Sequence, residues 1–453
     1  MNNNKRNQFA SKIGFLLATA GSAVGLGNIW RFPYLAAKYG GGMFLLVYII
    51  LSLTFGFSLM VAEVALGRKT QQSPIGAFRS LDRRFTFVGV LATLVPVIIL
   101  PYYSVIGGWV LKYFAGFISG QAGNMAADDY FSNYIAAPGE PILWFAVFIG
   151  ITALIVLFGV QKGIEKVSKV MMPALVVLMV FIVIYTIATM EGAWAGVLYY
   201  ITPDFSKFSV TTVLAAMSQL FYSMSLAMGI MITYGSYMKK DVNLESSVAQ
   251  IEIFDTGIAF IAGLMIIPAV FTFSGGTPEA LGAGPGLMFV TLPKVFETMF
   301  GGTVIGILFF LLVLFAALTS SISLMETVVS IVCDKFKIGR KVSCLFVFIL
   351  SVLIGLPSAL GYGTLADVTV IGMEFLDFFD FISNSVLMPI VALLTCIFIG
   401  YVIKPQAIID EVELSGKFKR KALFTVVIKY IAPICIVLIL VSSVLSTMGI
   451  ISI

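Results

Sequence analysis

Residues 21–34 read Gly-Ser-Ala-Val-Gly-Leu-Gly-Asn-Ile-Trp-Arg-Phe-Pro-Tyr. The stretch sits inside an apolar run, 12–36, yet packs three glycines and a serine into its first seven residues before Asn28 and Arg31. A second run, 210–237, is interrupted in the same manner by Ser223-Met224-Ser225-Leu226-Ala227-Met228-Gly229. Each cluster lies near the middle of its run, and the two runs are five apolar segments apart, so the second copy is inverted in a bilayer. Paired interruptions of this kind, a rule learned on inverted-repeat transporters, point to a midplane site. Small-residue helix packing of the Gly-xxx-Gly type is the competing reading. Asn28 and Arg31 exceed what packing alone requires.

Composition frames the stretch. Of 453 residues, 59% are hydrophobic and 11% charged, against roughly half and a quarter in soluble chains. A helix needs ~20 apolar residues to cross ~30 Å of hydrocarbon. Eleven segments qualify: 12–36, 41–67, 85–118, 141–160, 167–190, 210–237, 246–273, 302–333, 342–358, 374–403 and 421–449. The expected fold is an all-α membrane protein of 11 transmembrane helices in one domain, 1–453. Inverted five-helix repeats span 12–190 and 210–403, 421–449 is the eleventh helix, and helices 1 and 6 are unwound at mid-membrane. With the N-terminus in the cytoplasm, cytoplasmic loops and helix ends hold 23 of the 28 Lys and Arg. That asymmetry sets orientation by the positive-inside rule and leaves Ile453 outside.

The same distribution makes the net charge of +5 a membrane signature rather than a nucleic-acid footprint. With no histidine in the chain, imidazole relays, His-ligated metals and Ser-His hydrolases are excluded. Cys333, Cys344, Cys396 and Cys435 lack metal-ligand spacing, and no structural disulfide is expected among them. The polar start, Met1–Lys12, carries no cleavage pattern of a removable signal peptide. Among the outer loops, Ser274–Gly301 is rich in glycine and proline before turning apolar, as suits either a capping element over an outer vestibule or a surface loop.

Backbone unwound in hydrocarbon survives only where it lines a cavity or binds something. A break at 22–27 frees carbonyl oxygens for a hard cation such as Na⁺. It also exposes a half-helix N-terminus whose amides suit a carboxylate. Asp255, nearly alone in the span 251–273 apart from Glu252 at its cytoplasmic end, is costly unless it meets a cation. Thr319-Ser320-Ser321 offers hydroxyls beside the carbonyl of Ala316, although such groups also bond back to their own helix. Glu63 and Glu326 fit structural and functional roles equally. Tyr102-Tyr103 can close over a carboxylate or simply pack. Arg31 and Asp380 mark the outer mouth, Arg6 and Asp334 the inner. Exposed ion pairs contribute only ~0–1 kcal/mol, weak enough for a gate. Arg6 is equally well ordinary positive-inside charge.

The 21–34 stretch, Gly40-Gly41-Gly42, YYSVIGGW (102–109), QLFYSMSLAMG (219–229), TYGSYMKKD (233–241), ALTSSISLMET (317–327) and FLDFFDFISN (375–384) together resemble the neurotransmitter:sodium symporter family, in its bacterial eleven-helix amino-acid branch. The likeness covers nearly the whole chain. It implies two sodium sites. The first uses the carbonyl of Ala23, the side chains of Asn28, Ser223 and Asp255, and the substrate's own carboxylate. The second uses the carbonyls of Gly21, Val24 and Ala316 with the hydroxyls of Thr319 and Ser320. The substrate carboxylate meets amides near Leu26 and Gly27 and the Tyr103 hydroxyl, and its ammonium meets Ala23, Tyr222, Ser223 and Ser225. Ile99, Tyr103, Tyr222, Met228, Ser320 and Leu324 face its side chain. Arg31–Asp380 with Tyr222 forms the outer gate, and Arg6–Asp334 with Tyr237 the inner.

Departures from the family pattern refine the expectation. Tyr48, Gln219 and Ser223 match the chloride-binding pattern of animal members, but Asp255 supplies a fixed anion, so chloride independence is expected. Gly25 stands where monoamine carriers place an acid, which leaves room for a carboxylate and favours amino acids. Ala227 stands where relatives often carry glycine. The expected activity is sodium-coupled import of hydrophobic or aromatic L-amino acids by alternating access at a bacterial inner membrane, with no nucleic-acid partner, no enzymatic reaction and an open oligomeric state. A proton-coupled carrier of the same fold, or a non-transporting amino-acid receptor, is the alternative.

Overall fold

The computed structural model describes residues 8–276 and 284–447. Among these the chain is built of helices, with two isolated bridges, Gly41 to Pro203 and Val370 to Met373, and no strand. The helices that bear on the site are α1 (Lys12–Ala23), α2 (Gly27–Lys38), α3 (Gly42–Thr70), α4 (Arg83–Ile118), α5 (Glu140–Leu157), α6 (Val160–Thr189), α7 (Val210–Ser223), α8 (Ile230–Ser236), α9 (Leu244–Phe273), α10 (Gly302–Phe336), α11 (Arg340–Leu360), α12 (Phe375–Val402), α13 (Gln406–Glu413) and α14 (Lys421–Ser446). Nine helices among the described residues are long and apolar enough to cross a membrane. The pair α1–α2, bent by 55° at its break, makes up to ten. The remaining expected segment, 210–237, is divided into α7 and α8 by residues 224–229.

Local chemistry explains both interruptions. α1 starts at Ser11, whose hydroxyl accepts the Gly14 amide at 3.0 Å, and Glu165 of α6 accepts the Ala10 amide at 2.7 Å. These satisfy donors that every helix start leaves open. The α1 ladder ends with the Val24 amide donating to Ala20, after which Val24 turns to extended backbone (φ −75°, ψ 99°). Between α7 and α8, Ser225 (φ 51°), Ala227 (φ 60°) and Gly229 (φ 70°) all enter the left-handed region. For a residue with a Cβ this costs on the order of 1–3 kcal/mol, so the surroundings must impose it.

The two breaks meet at the centre. α10 packs on α4, α5, α6 and α1, while α3 packs on α7 and α8, and α9 on α1 and α2. On the side toward which α4 ends, residues 287–298 fold back over this centre. Phe289 lies edge-on to Trp30 and Trp109, and its carbonyl accepts the Tyr113 hydroxyl at 2.9 Å.

Candidate ion and substrate site

The gap between α1 and α2 opens onto a small, partly enclosed cavity. Ala23, Gly25, Leu26 and Gly27 form one wall. Ile99 and Tyr103 come from α4, Tyr222, Ser225 and Met228 from the α7–α8 break, and Ser320 and Leu324 from α10. Of the residues expected to touch a substrate, only Ser223 stands off this wall. The Tyr103 hydroxyl accepts the Leu26 amide at 3.4 Å, so phenol and helix start present donors to one place. A Cβ built at Gly25 would lie 2.7 Å from the Ser320 hydroxyl and 3.1 Å from the Tyr103 hydroxyl. The glycine leaves a polar notch the size of a small anionic group.

Beside the notch lies a fully buried polar cluster. Asn28 Nδ2 donates to Asp255 Oδ1 at 2.8 Å and to Ser223 Oγ at 2.9 Å, and Ser223 Oγ lies 3.0 Å from both Asp255 oxygens. The Tyr48 hydroxyl reaches Asp255 Oδ2 at 3.5 Å, and Asn28 Oδ1 accepts the Gly25 amide at 3.2 Å. Asn28, Tyr48 and Ser223, from three separate elements, therefore converge on a buried carboxylate that has no cationic side chain paired to it among the described residues. A cation stabilises such a group where solvent cannot.

A second set of oxygens gathers on the other side of α1. Ser320 Oγ lies 3.5 Å from the Gly21 carbonyl, 3.1 Å from Ser22 and 3.3 Å from Val24, all left without helical partners by the break. Thr319 Oγ1 lies 3.1 Å from the Ala316 carbonyl. Of these groups only the hydroxyls can donate, so carbonyl oxygens are in excess, as a hard monovalent cation requires.

The mouths are arranged differently from the simple pairs read in the sequence. No direct ion pair joins Arg31 and Asp380. Arg31 donates to Ser218 at 3.2 Å and its guanidinium lies 5.4 Å from the centre of the Tyr222 ring. Asp380 accepts from Tyr102 at 3.1 Å and Asn384 at 2.6 Å. At the opposite mouth Arg6 lies outside the described residues. Asp334 accepts the Ser73 amide at 3.1 Å, and Tyr237 donates to Glu326 at 2.7 Å, which is further engaged by Arg340.

The Sodium:neurotransmitter symporter family matches residues 6–129 and 127–450. The chain belongs to this family. The sodium-dependent transporter YhdH of Bacillus subtilis is 37% identical, the match covering 97% of this chain and 98% of that protein. The sodium-dependent transporter MJ1319 of Methanocaldococcus jannaschii is 33% identical over 95% of this chain and 89% of its own. Among solved structures, MhsT in complex with L-phenylalanine superposes with a TM-score of 0.87 at 39% identity, over 97% of this chain and 100% of that one.

Several residues that line the cavity escape a reading of the sequence. Ser22 donates to Ser323 at 2.7 Å, Ser225 donates to the Ser22 carbonyl at 2.9 Å, and Ser22, Ser323 and Ile230 all line the cavity. The signal available was position: Ser22 sits inside the glycine cluster, and Ser323 is one turn beyond Ser320 on the same helix face. Glu63 resolves as a partner of the second break. Its Oε1 accepts the Ala227 amide at 2.7 Å, and it is 3% exposed.

Proposed function

We propose that the chain is a sodium-coupled symporter that imports hydrophobic or aromatic L-amino acids by alternating access, without chloride, across a bacterial inner membrane. Sodium-dependent transport belongs to the family, and the substrate class, the ion sites and the gates are the proposal. The observation that carries it is the notch at Gly25, flanked on one side by Asn28–Ser223–Asp255 and on the other by Ser320 and the α1 carbonyls. One sodium ion sits with the Ala23 carbonyl, Asn28, Ser223, Asp255 and the substrate carboxylate. The other sits with Gly21, Val24, Ala316, Thr319 and Ser320. Apolar lining from Ile99, Met228 and Leu324 favours an apolar side chain, and the MhsT complex with L-phenylalanine supports the same choice.

The cycle follows from charge. A carboxylate and a cation that complete each other's shells are each poorly held alone, so binding of one raises the affinity for the other. Inward movement of one net charge gains ~2.3 kcal/mol per 100 mV. In this reading α1–α2 and α7–α8 are the first and sixth of eleven spans, broken at mid-membrane and related by inversion, with 12–190 and 210–403 as the repeats. The outer gate closes through Tyr222 between Arg31 and Asp380, and Arg6, Asp334 and Tyr237 serve the inner mouth.

Uptake of labelled L-phenylalanine into proteoliposomes, with external Na⁺ replaced by K⁺, tests this. Accumulation that requires Na⁺ is expected. Accumulation that persists in K⁺ and follows pH would establish a proton-driven carrier instead, and saturable binding without uptake would establish a receptor.

A further inference from the structure

One buried carboxylate has no place in the cycle above. Glu252 on α9 is 1% exposed, and neither of its carboxyl oxygens has a hydrogen-bond partner. Its nearest cation is Arg420, whose guanidinium stays 3.7 Å away and is 36% exposed, resting on the Phe57 ring at 4.3 Å. Arg420 is held there through its backbone, since Glu245, two turns earlier on α9, accepts the amides of Lys419 and Arg420 at 3.0 and 3.1 Å. The nearby Ser52 hydroxyl on α3 pairs with Thr256 at 2.8 Å. The charged groups that act on Glu252 are thus two: Arg420 at its outer edge and Asp255 one turn further along α9.

A carboxylate removed from water with no donor is far more costly than a neutral carboxyl group. A buried acid with only a distant, partly solvated arginine therefore has a ready alternative, which is to hold a proton. Position gives that proton a consequence. Residues three apart on a helix share a face, with Cβ atoms ~5–6 Å apart. The charge on Glu252 consequently belongs to the field felt at the Asp255 cluster, although no hydrogen bond joins the two side chains.

We propose that Glu252 is a proton site linked to sodium: it is protonated when the Asp255 cluster is empty and releases its proton past Arg420 when a sodium ion enters. The proposal rests on the assignment of a sodium ion to the Asp255 cluster. A cation beside Asp255 favours the ionised form of Glu252, and by reciprocity a proton on Glu252 weakens cation binding by the same factor. At that separation and an effective dielectric constant near 20, the factor is on the order of a hundredfold. Ionised Glu252 pairs with Arg420, so the proton exchanges on the side of the α13–α14 connection. Sodium moving one way and a proton the other share this helix turn.

The test uses the full chain in detergent, with labelled L-phenylalanine as the probe of sodium occupancy. Half-saturating Na⁺ is measured between roughly pH 5.5 and roughly pH 8.5, a range that brackets buried carboxyl groups. In the wild type it falls on the order of a hundredfold as pH rises. In Glu252→Gln it stays within about threefold across the range, at the weaker value. Arg420→Gln, which removes the cation favouring the ionised form, moves the midpoint of the wild-type profile to higher pH. A pH-indicator dye in weak buffer supplies the direct readout: Na⁺ added to the wild type releases protons, and Na⁺ added to Glu252→Gln does not. Retention of the wild-type profile or of proton release in Glu252→Gln overturns the proposal, as does an unmoved or lowered midpoint in Arg420→Gln. Lack of Na⁺-stimulated phenylalanine binding in the wild type at every pH refutes the transport reading beneath it, an outcome distinct from intact stimulation with an unaltered profile.

Discussion

Glu63 accepts the backbone N–H of Ala227 at 2.7 Å, so a buried acid on α3 holds an alanine in the left-handed region at φ 60°. A glycine at this position would adopt the same angle without strain. Ala227→Gly is therefore expected to keep or raise the thermal midpoint, by the equivalent of about 1 kcal/mol, where the same change inside a helix lowers stability. Thermal unfolding of the purified chain in detergent decides this. A clear drop would mean that the methyl group packs more than the backbone strains.

Gly25 faces the Ser320 and Tyr103 hydroxyls at a distance that a single carbon would close. Gly25→Ala fills the place assigned to the substrate carboxylate while leaving the helix ends untouched. L-Phenylalanine affinity is expected to fall at least about tenfold, the scale of an unpaired polar contact plus a steric clash. Equilibrium binding measures it, and unchanged affinity would move the carboxylate elsewhere.

Ser320 and Thr319 contribute hydroxyls to the oxygen set around Gly21, Val24 and Ala316. The double change Thr319→Ala with Ser320→Ala leaves the carbonyls but removes two ligands. Half-saturating Na⁺ for phenylalanine uptake should rise about tenfold or more, while affinity at saturating Na⁺ changes less. A proportional loss at all Na⁺ concentrations would assign the hydroxyls to the substrate instead.

How far the sequence carries depends on whether a residue's cost is visible without its partner. Asp255 and Asn28 announce themselves because polar groups in an apolar span are expensive wherever they point. Ser22 and Ser323 do not, since a serine in a helix satisfies itself on its own backbone equally well. Arg68 reads as one more cytoplasmic charge, yet it is fully buried and bound to Glu411 Oε1 at 2.9 Å, 343 residues away. No local pattern encodes a partner that distant. Glu252 reads as the end of a span, and only the packing of Phe57 and the α13–α14 connection beneath it takes it out of water. Arg31 and Asp380 show the reverse: the sequence supplies both charges at one mouth, and each takes other partners, Arg31 the Ser218 hydroxyl and the Tyr222 ring, Asp380 the Tyr102 hydroxyl and Asn384.

Asp255 carries the last prediction. Its carboxylate is bonded by Asn28, Ser223 and Tyr48 and would supply a fixed negative charge to the sodium ion proposed there. With that charge built in, replacing chloride by gluconate should leave wild-type phenylalanine flux unaltered. Asp255→Asn preserves shape and one acceptor oxygen but deletes the charge, so the cation loses its counter-ion within the same shell. Tyr48, Gln219 and Ser223 remain around the vacated charge, and Gln219 already donates to the Gly27 carbonyl at 3.0 Å. Sodium-driven flux in Asp255→Asn should fall at least about tenfold in gluconate and recover in part when chloride is restored, because a mobile anion can then replace the fixed one. A variant equally impaired in both anions would show that Asp255 acts as a ligand and not as a charge. A chloride requirement in the wild type would show that the carboxylate never balanced the cation.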